Sequence, residues 1–557
     1  MAQTESRIDD EPRPDDVELT DVEQRSEDQP GAHWSTNEVQ EIPYNNMKIV
    51  MPAFILTALL SALDQTIAAV SLPKIVEDIG GESGYSWVGS AYLLMSACFS
   101  PLYGRLADVT GRKPILFCSI AIFLLGSALS GAAQSFIWLA LCRGVQGIGA
   151  GGCLQMIMIT LSDITTLQER SKYGGGVLTD HANWRWCFWI NLPIGGISMV
   201  LLFFFLHVTP IKKRTIREIT STFDFLGLFL FTAGVILFLF GLEDANTAAD
   251  GWRAPETLAP LIIGIVLLVA GIVNDVFTKR DPIIPPRLFK TRTTAACCIG
   301  VFIHSFVLFA ESYYTPLYFQ ILGASATMAG IRQMPLSIGA ALTSIVIGFV
   351  LSKTGHYRPI LWAGSAIMTF GTGLLIMLDE NTSTAKQELW LLVVGIGVGF
   401  LFQAPLILVQ AAMPLKDMPT STATVVLLRT LGGTVGISVG NTIFQSELSK
   451  RLAKIGGFSS SLGSGIPDYT TVQQIQPDSL RQQVSHAFTR SIATIFIVWT
   501  PISSVALLLF LVVKNYSLKR NFERAPAPKK ERNPTSPSAS VRAGKNTEEP
   551  EGASAPS

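Results

Sequence analysis

Four ionisable side chains lie inside apolar stretches of this chain, where a charge is costly. Asp64 stands about 15 residues into the first stretch, Arg143 lies in the fourth, and His304 and Glu311 share the stretch 295–315. Ionisable residues within segments that cross a membrane mark proton, ion or substrate pathways by default. Asp64 could therefore carry a proton or contact a cationic or polar substrate; the alternative is a structural acid that pairs with a neighbouring helix.

His304 precedes Glu311 by two helical turns and lies on the same face of the predicted helix. This pair could titrate together during a functional cycle. The alternative is a Glu311 that faces water near the outer end of its stretch. Arg143 stays charged when buried and favours ionisation of a nearby acid, and a purely structural ion pair is the alternative for it.

Small residues at four-residue spacing mark two further helix faces that carry a polar side chain. They are Gly395 and Gly399 before Gln403, and Gly432, Gly436 and Gly440 after Arg429. Glycine at this spacing lets a second helix approach closely. Both faces suit tight helix contacts near a central cavity, and ordinary packing is the alternative for each.

The composition predicts the elements that must position these residues. The 557 residues are 48% hydrophobic and only 15% charged, with a mean hydropathy of +0.39. Apolar runs of roughly 20 residues recur along the chain, which predicts an all-α polytopic membrane protein. The net charge is zero, so we expect no nucleic-acid partner.

Motifs of soluble catalysis and metal binding are missing from the sequence. The seven cysteines lack metal-ligand spacing, and there is no P-loop, GxSxG or HExxH motif. We therefore expect neither an enzyme nor a bound metal or cofactor.

Thirteen stretches meet the length criterion for a membrane span. They lie near 49–71, 86–104, 114–133, 136–160, 187–208, 223–242, 257–277, 295–315, 327–351, 359–378, 389–412, 420–444 and 492–513. We expect an N-terminal bundle at 48–208, two linking spans with basic loops at 209–294, and a C-terminal bundle at 295–513. The polar stretch 445–490 is predicted as a long flexible loop flanked by a short amphipathic helix, and the tails 1–47 (acidic) and 514–557 are predicted to be disordered.

The count of crossings is odd where the loop charges require an even number. Lysine and arginine are frequent at 105–113 and at 209–222, and the positive-inside rule assigns both loops to the cytoplasm. Only three predicted spans separate them. The remaining stretch, 161–186, carries seven ionisable residues, and each charge costs about 2.5–3.5 kcal/mol at mid-bilayer. One crossing is therefore missing.

Five motifs carry a resemblance to a known family. "GRLADVTGRKPIL" at 104–116 resembles the signature loop of the major facilitator superfamily. "LDQTIAAVSLPKI" at 63–75 and "LCRGVQGIGAGG" at 141–152 resemble motifs of its fourteen-span drug:proton antiporters, and "WRWCFWINLPIGG" at 184–196 and "FDFLG" at 223–227 resemble the fungal members. The resemblance extends over residues 48–515.

The resemblance implies two six-helix bundles, plus two extra central helices, around a substrate cavity. It implies proton-coupled efflux of a small apolar compound, such as a drug, a mycotoxin or another secondary metabolite. It ties Arg143 to proton coupling and makes the loop at 104–113 a conformational latch. That loop contains Gly104, Asp108, Gly111 and Arg112. Asp108 could pair with Arg112 or cap a neighbouring helix.

The chain departs from this family at one place. In the family a fifth span with an antiporter motif follows "DITTLQERSKYGG", which is 163–175 here, but Gly175 continues directly into the loop that normally comes after that span. The alternatives are a skipped exon or faulty gene model, a genuine thirteen-span variant with a re-entrant segment, and a decayed, inactive copy.

Two other functions stay open on the sequence: a vacuolar transporter of basic amino acids and a non-transporting membrane protein. The expected partners are a small-molecule substrate, protons and lipid, and we expect a monomer. The expected location is the cell membrane, with the vacuolar membrane as the alternative, and both termini are cytoplasmic in the intact family design. The sequon at Asn381 falls in an external loop and is a candidate for glycosylation.

Overall fold

The computed structural model describes residues 39–79, 87–164, 189, 191–208, 223–244, 253–280, 282–414, 417–455, 472, 475–516, 518 and 521–524. Within these residues, thirteen long helices follow one another, one on each predicted span. They are α1 (Met47–Ile79), α2 (Trp87–Thr110), α3 (Arg112–Gly131), α4 (Phe136–Ile164), α5 (Asn191–Phe205), α6 (Phe225–Asp244), α7 (Pro255–Phe277), α9 (Arg292–Ile321), α10 (Ala326–Thr354), α11 (Arg358–Leu375), α12 (Thr384–Ala412), α13 (Met418–Leu452) and α14 (Asp478–Leu511), with a four-residue α8 (Arg287–Lys290) before α9. By length and composition, nine of the described helices could cross a membrane.

The helices form two bundles with a linking pair between them. Helices α1–α5 surround one buried apolar cluster, and α9–α14 surround a second. Helices α6 and α7 pack on each other, and α6 also contacts α2 and α13. Helix α13 packs against α2 and α4 as well as its own bundle. The all-α fold predicted from composition is confirmed.

Contacts near the chain termini define one face of the molecule, here called the terminal face. Asn45, just before α1, exchanges hydrogen bonds of 2.7 and 2.8 Å with the backbone of His207, just after α5. Arg112, at the start of α3, forms an ion pair of 2.8 Å with Asp163, at the end of α4. The ends of α4 and α5 therefore both lie on the terminal face.

The start of α5 lies at the opposite face. The ring of Trp189 packs against Gly131 at the end of α3, so closely that a Cβ built there would lie 2.9 Å from it. Ile164, the last residue of α4, and Trp189 thus stand at opposite faces. The missing crossing inferred from loop charges falls between these two residues, on a stretch that lies outside the described residues.

The tails are not disordered throughout, contrary to the sequence prediction. Strand β1 (Val39–Ile42) pairs in parallel with strand β2 (Asn521–Arg524). The side chain of Ile42 is buried. Backbone hydrogen bonds to a second strand and this buried residue together give the two segments an order that neither composition predicts. The pairing also brings both ends of the described chain to the terminal face.

The predicted loop 445–490 is shorter than expected, because helices extend into both of its ends and not only into one flank. Residues 445–452 continue α13, and 478–490 begin α14. Pairs at helical spacing support these extensions: Glu447 with Lys450 at 3.0 Å and with Arg451 at 3.4 Å, and Asp478 with Arg481 at 3.2 Å. Such pairs stabilise a helix in water, which an apolar-span criterion ignores.

The arrangement of the faces predicts a labelling pattern. Thr110 and His356 are exposed at the terminal face, and Asn381 is exposed at the opposite one. A thiol reagent that cannot cross the bilayer should therefore label a Thr110→Cys and a His356→Cys variant from one side, and an Asn381→Cys variant from the other. The unmodified chain gives the background from native cysteines. Labelling of all three variants from one side would contradict this topology.

Candidate functional site

Asp64 of α1 and Arg143 of α4 form an ion pair inside the N-terminal bundle, and each is only 1% exposed. Gln146, one turn after Arg143, accepts from the guanidinium at 2.8 Å and donates to Asp64 at 2.7 Å. Asn191, the first residue of α5, donates to the same carboxylate at 3.2 Å. The cluster therefore joins three helices through charge-assisted hydrogen bonds, which are the stronger kind.

Helix α2 completes the surroundings of the arginine. Nε of Arg143 donates to the carbonyl of Val88 at 3.2 Å, and the guanidinium lies 4.3 Å from the ring centroid of Tyr92. The hydroxyl of Tyr92 donates to the carbonyl of Ser61 in α1 at 3.0 Å. Both charges are thus compensated, as buried charges must be.

Glycines place α4 where this pairing is possible. A Cβ at Gly147 would lie 2.2 Å from the carbonyl oxygen of Tyr92, and one at Gly149 would lie 2.2 Å from the backbone nitrogen of Phe123. No residue with a Cβ allows those distances, so these glycines set the separation of α4 from α2 and α3.

Glu311 and His304 of the C-terminal bundle are both buried against α11. The hydroxyl of Thr372 donates to one oxygen of Glu311 at 2.6 Å, and the other oxygen has no hydrogen-bond partner. Nδ1 of His304 lies 3.0 Å from the sulfur of Met368, one turn away from Thr372. The alternative that Glu311 faces water is therefore wrong, because packing against α11 covers its carboxyl group. Among the described residues, no cation lies within 4.0 Å of this carboxyl.

The segment 104–113, predicted as a loop, is formed by the end of α2, by Gly111 and by the start of α3, and its Gly104 lies at the contact between the two bundles. A Cβ at Gly104 would lie 2.9 Å from that of Ala423 in α13, so α2 and α13 touch here. Gly111 has a φ of +101°, which disfavours any other residue. Arg112 pairs with Asp163 and donates to the carbonyl of Ala107 at 2.8 Å. The side chain of Asp108 lies outside the described residues, so its pairing stays a prediction.

The two glycine faces pack as the spacing predicts. Cβ atoms at Gly432 and Gly436 would lie 2.3 and 2.1 Å from carbonyl oxygens of α9, and Gly395 and Gly399 approach α10 in the same way. Gln403 is buried at 4% exposure. Arg429 is partly exposed, and its Nη2 donates to the carbonyl of Phe402 in α12 at 2.8 Å.

Asn381 is exposed in the loop between α11 and α12, at the opposite face. The Thr382 hydroxyl donates to Asp379 at 2.6 Å and holds the pKa of that carboxyl below its usual range. An exposed loop position is compatible with the predicted glycosylation, which stays a prediction. Among the described residues, no group of three or more histidine, cysteine or acidic side chains could hold a metal ion.

Sequence reasoning missed three partners of the ion pair: Gln146, Asn191 and Tyr92. The position of Gln146, three residues after Arg143 in the same apolar run, is a signal that could have found it. Asn191 comes from a distant segment, and only the packing of α5 beside α1 brings it to the site.

The family model described as Major Facilitator Superfamily matches residues 54–175 and 173–437. The chain belongs to the major facilitator superfamily. An uncharacterised MFS-type transporter of Schizosaccharomyces pombe is 36% identical, with 88% of this chain and 84% of the relative covered. Efflux pump dotC of Dothistroma septosporum is 34% identical, with 86% of each chain covered.

A solved structure supports the fold. The human organic anion transporter MFSD10 matches with a TM-score of 0.55 and 15% identity, and the match covers 84% of this chain and 100% of that one. This facilitator chain is therefore a multi-pass membrane protein related to transporters and not to enzymes.

The ion pair predicts strongly coupled effects of mutation. Asp64→Asn and Arg143→Gln should each lower the free energy of unfolding by about 3–5 kcal/mol, because each leaves one buried charge without its partner. The double variant should lose much less than the sum. The measurement is denaturant unfolding in detergent micelles, followed by tryptophan fluorescence.

The exposed pair Glu447–Lys450 is the matched control, and its removal should cost at most about 1 kcal/mol. Additive losses from Asp64→Asn and Arg143→Gln would contradict the pairing.

Proposed function

We propose that this chain exports a small, largely apolar organic compound from the cell in exchange for protons. The named efflux pump among its relatives supports export. Both termini would lie in the cytoplasm and the protein would work as a monomer in the cell membrane. Substrate would bind between the bundles and become accessible to each side in turn, as in other transporters with two related halves.

The burial and incomplete hydrogen bonding of Glu311 are the main support for proton exchange. Its carboxyl is fully buried, receives one hydrogen bond from Thr372, and has one oxygen without a partner. Ionisation at this place would create a buried charge with no nearby cation, which costs several kcal/mol. Release of a proton therefore requires water or a cation to reach Glu311, and a change of access state supplies that opening.

Asp64 is less suited to this role. Its carboxylate already receives hydrogen bonds from Arg143, Gln146 and Asn191. Protonation of Asp64 would leave the arginine as an uncompensated charge. We propose that the Asp64–Arg143 pair stays ionised and holds the N-terminal bundle together, while Glu311 exchanges the proton.

The missing span bears on whether this particular chain is active. The two stretches matched by the family model meet at residues 173–175. The alignment with the fission-yeast relative runs over 512 positions, although 88% of this chain is only about 490 residues. About 22 positions of the relative thus have no counterpart, close to the length of one span. We propose that a span is lost between Gly175 and Gly176.

A complementation experiment tests the function. The gene is deleted, the compounds retained in the cells are identified by mass spectrometry, and export is restored with this chain or with a version that carries the corresponding span of dotC after Gly175. We expect export from the version with the inserted span, and loss of pH-gradient-driven transport but not of substrate exchange in its Glu311→Gln variant. Glu447→Gln, outside the membrane core, is the control.

The outcomes separate the alternatives. Export by this exact chain supports a genuine variant, and export only by the version with the inserted span identifies this chain as a defective product. No retained compound and no export by either version contradicts the exporter. Gradient-driven transport that survives Glu311→Gln contradicts the role of that carboxyl, and a fusion at the vacuolar rim favours the vacuolar transporter.

A further inference from the structure

Arg429 is a cation in the interior of the C-terminal bundle with no acidic partner among the described residues. No carboxylate of that part of the chain lies within 4.0 Å of its guanidinium. Its one hydrogen bond goes to the backbone carbonyl of Phe402, and its guanidinium lies 4.8 Å from the centroid of that ring. Arg143, at 1% exposure, has a carboxylate instead.

The depth of Arg429 makes this lack of a partner costly. It stands eleven residues into α13 from the terminal face, which is about 17 Å at 1.5 Å per residue. That distance is near the middle of a hydrocarbon core of about 30 Å. A carbonyl and an aromatic face compensate part of the charge, and an anion would compensate the rest.

Arg429 and Phe402 together form one partly exposed surface of the C-terminal bundle. On α12, Gly397 packs on Met368 of the peripheral helix α11. Phe402 comes five residues later, about 140° around the helix, and therefore points away from α11. Its ring is 36% exposed, and Arg429 is also partly exposed. On α13, Arg429 shares its face with Gly432 and Gly436, which pack on α9, and the surface that it forms with Phe402 belongs to the C-terminal bundle.

The guanidinium still has donors to offer. Of its five N–H groups, one is used by the carbonyl of Phe402, and the others have no partner within the described residues. A planar guanidinium can donate two parallel hydrogen bonds to the two oxygens of a carboxylate. The stacked ring of Phe402 holds the guanidinium in place and offers an apolar surface beside it.

We propose that Arg429 binds the anionic group of the substrate, and that the substrate class is therefore an organic acid with an apolar body: a carboxylic acid or an ionised phenol or enol. This proposal rests on the proposed function, and it restricts the exported apolar compounds to organic acids. Phe402 contacts the apolar body next to the acid.

A binding experiment with two matched probes tests this site. The full chain is reconstituted in lipid nanodiscs, and binding of 2-naphthoate and of its neutral isostere 2-naphthamide is measured by equilibrium dialysis against empty discs. We expect 2-naphthoate to bind at least about tenfold more tightly, because bidentate charge-assisted hydrogen bonds form only with the carboxylate. Arg429→Gln should bring the ratio of the two affinities to about one, and Arg429→Lys should keep part of the preference.

The matched control is Arg358→Gln. Arg358 also stacks on an aromatic ring, with its guanidinium 4.9 Å from the centroid of Trp362, but it lies on the peripheral helix α11. This variant should keep the wild-type preference. Unchanged 2-naphthamide binding in Arg429→Gln shows that the variant is folded; should it fail to fold, Phe402→Leu should still reduce the preference by weakening the support of the guanidinium.

Three results would overturn the proposal: equal affinities of the wild-type chain for the two probes, no saturable 2-naphthoate binding up to about 1 mM, or a preference for the carboxylate that survives Arg429→Gln. The experiment uses no proton gradient. A failure of proton coupling therefore leaves it unaffected, whereas a proton-driven exporter of neutral compounds would fail this test alone.

Discussion

A charge inside a membrane protein must be compensated by its immediate surroundings, and the Asp64–Arg143 pair meets this requirement most completely. Both side chains are almost fully buried, and Gln146 and Asn191 complete the hydrogen bonding of the carboxylate. The pair and its two amide partners join α1, α4 and α5, and the backbone of α2 accepts a hydrogen bond from Nε of the arginine. The geometry of the N-terminal bundle depends on these contacts, because loss of either charge would leave the other one buried without compensation.

In the C-terminal bundle the buried ionisable residues are not paired with an opposite charge in the described part of the chain. Glu311 has a hydroxyl partner and Arg429 has a carbonyl and a ring, and among the described residues neither has an opposite charge within 4.0 Å. Groups whose compensation is incomplete respond to protons, ions and ligands, since any of these changes their energy. The Asp64–Arg143 pair would keep the N-terminal bundle rigid. Glu311 and Arg429 of the C-terminal bundle would respond to protons and substrate in the proposed transport cycle. The close contact of Gly104 with Ala423 joins the halves at the terminal face.

Sequence patterns predicted most of the fold because the bilayer imposes a simple rule of length and polarity. Every predicted span became a helix, and glycine spacing identified the close contacts of α12 and α13. The rule fails outside the membrane: charged helical turns extend α13 and α14, and the pairing of β1 with β2 depends on two segments almost 500 residues apart. The same limit applies to the site. Asp64 and Arg143 stood out by their cost in an apolar run, whereas Asn191 and Thr372 are polar residues whose role appears only when distant helices pack together.

The odd number of apolar spans conflicts with the charges on the loops. Charges on the loops require an even number of crossings, and the positions of Ile164 and Trp189 at opposite faces agree with that requirement. The family relationship gives the reason why a helix would be expected between them. Each bundle has its own buried apolar cluster among the described residues.

The division of roles between a fixed ion pair and an exchangeable proton can be observed directly by infrared spectroscopy of the protein in lipid. A protonated carboxyl group absorbs at a C=O frequency separate from that of a carboxylate. We expect a buried protonated-carboxyl band at neutral pH that disappears in a Glu311→Gln variant and is unchanged in an Asp64→Asn variant. A band that disappears with Asp64→Asn and survives Glu311→Gln would contradict this division of roles.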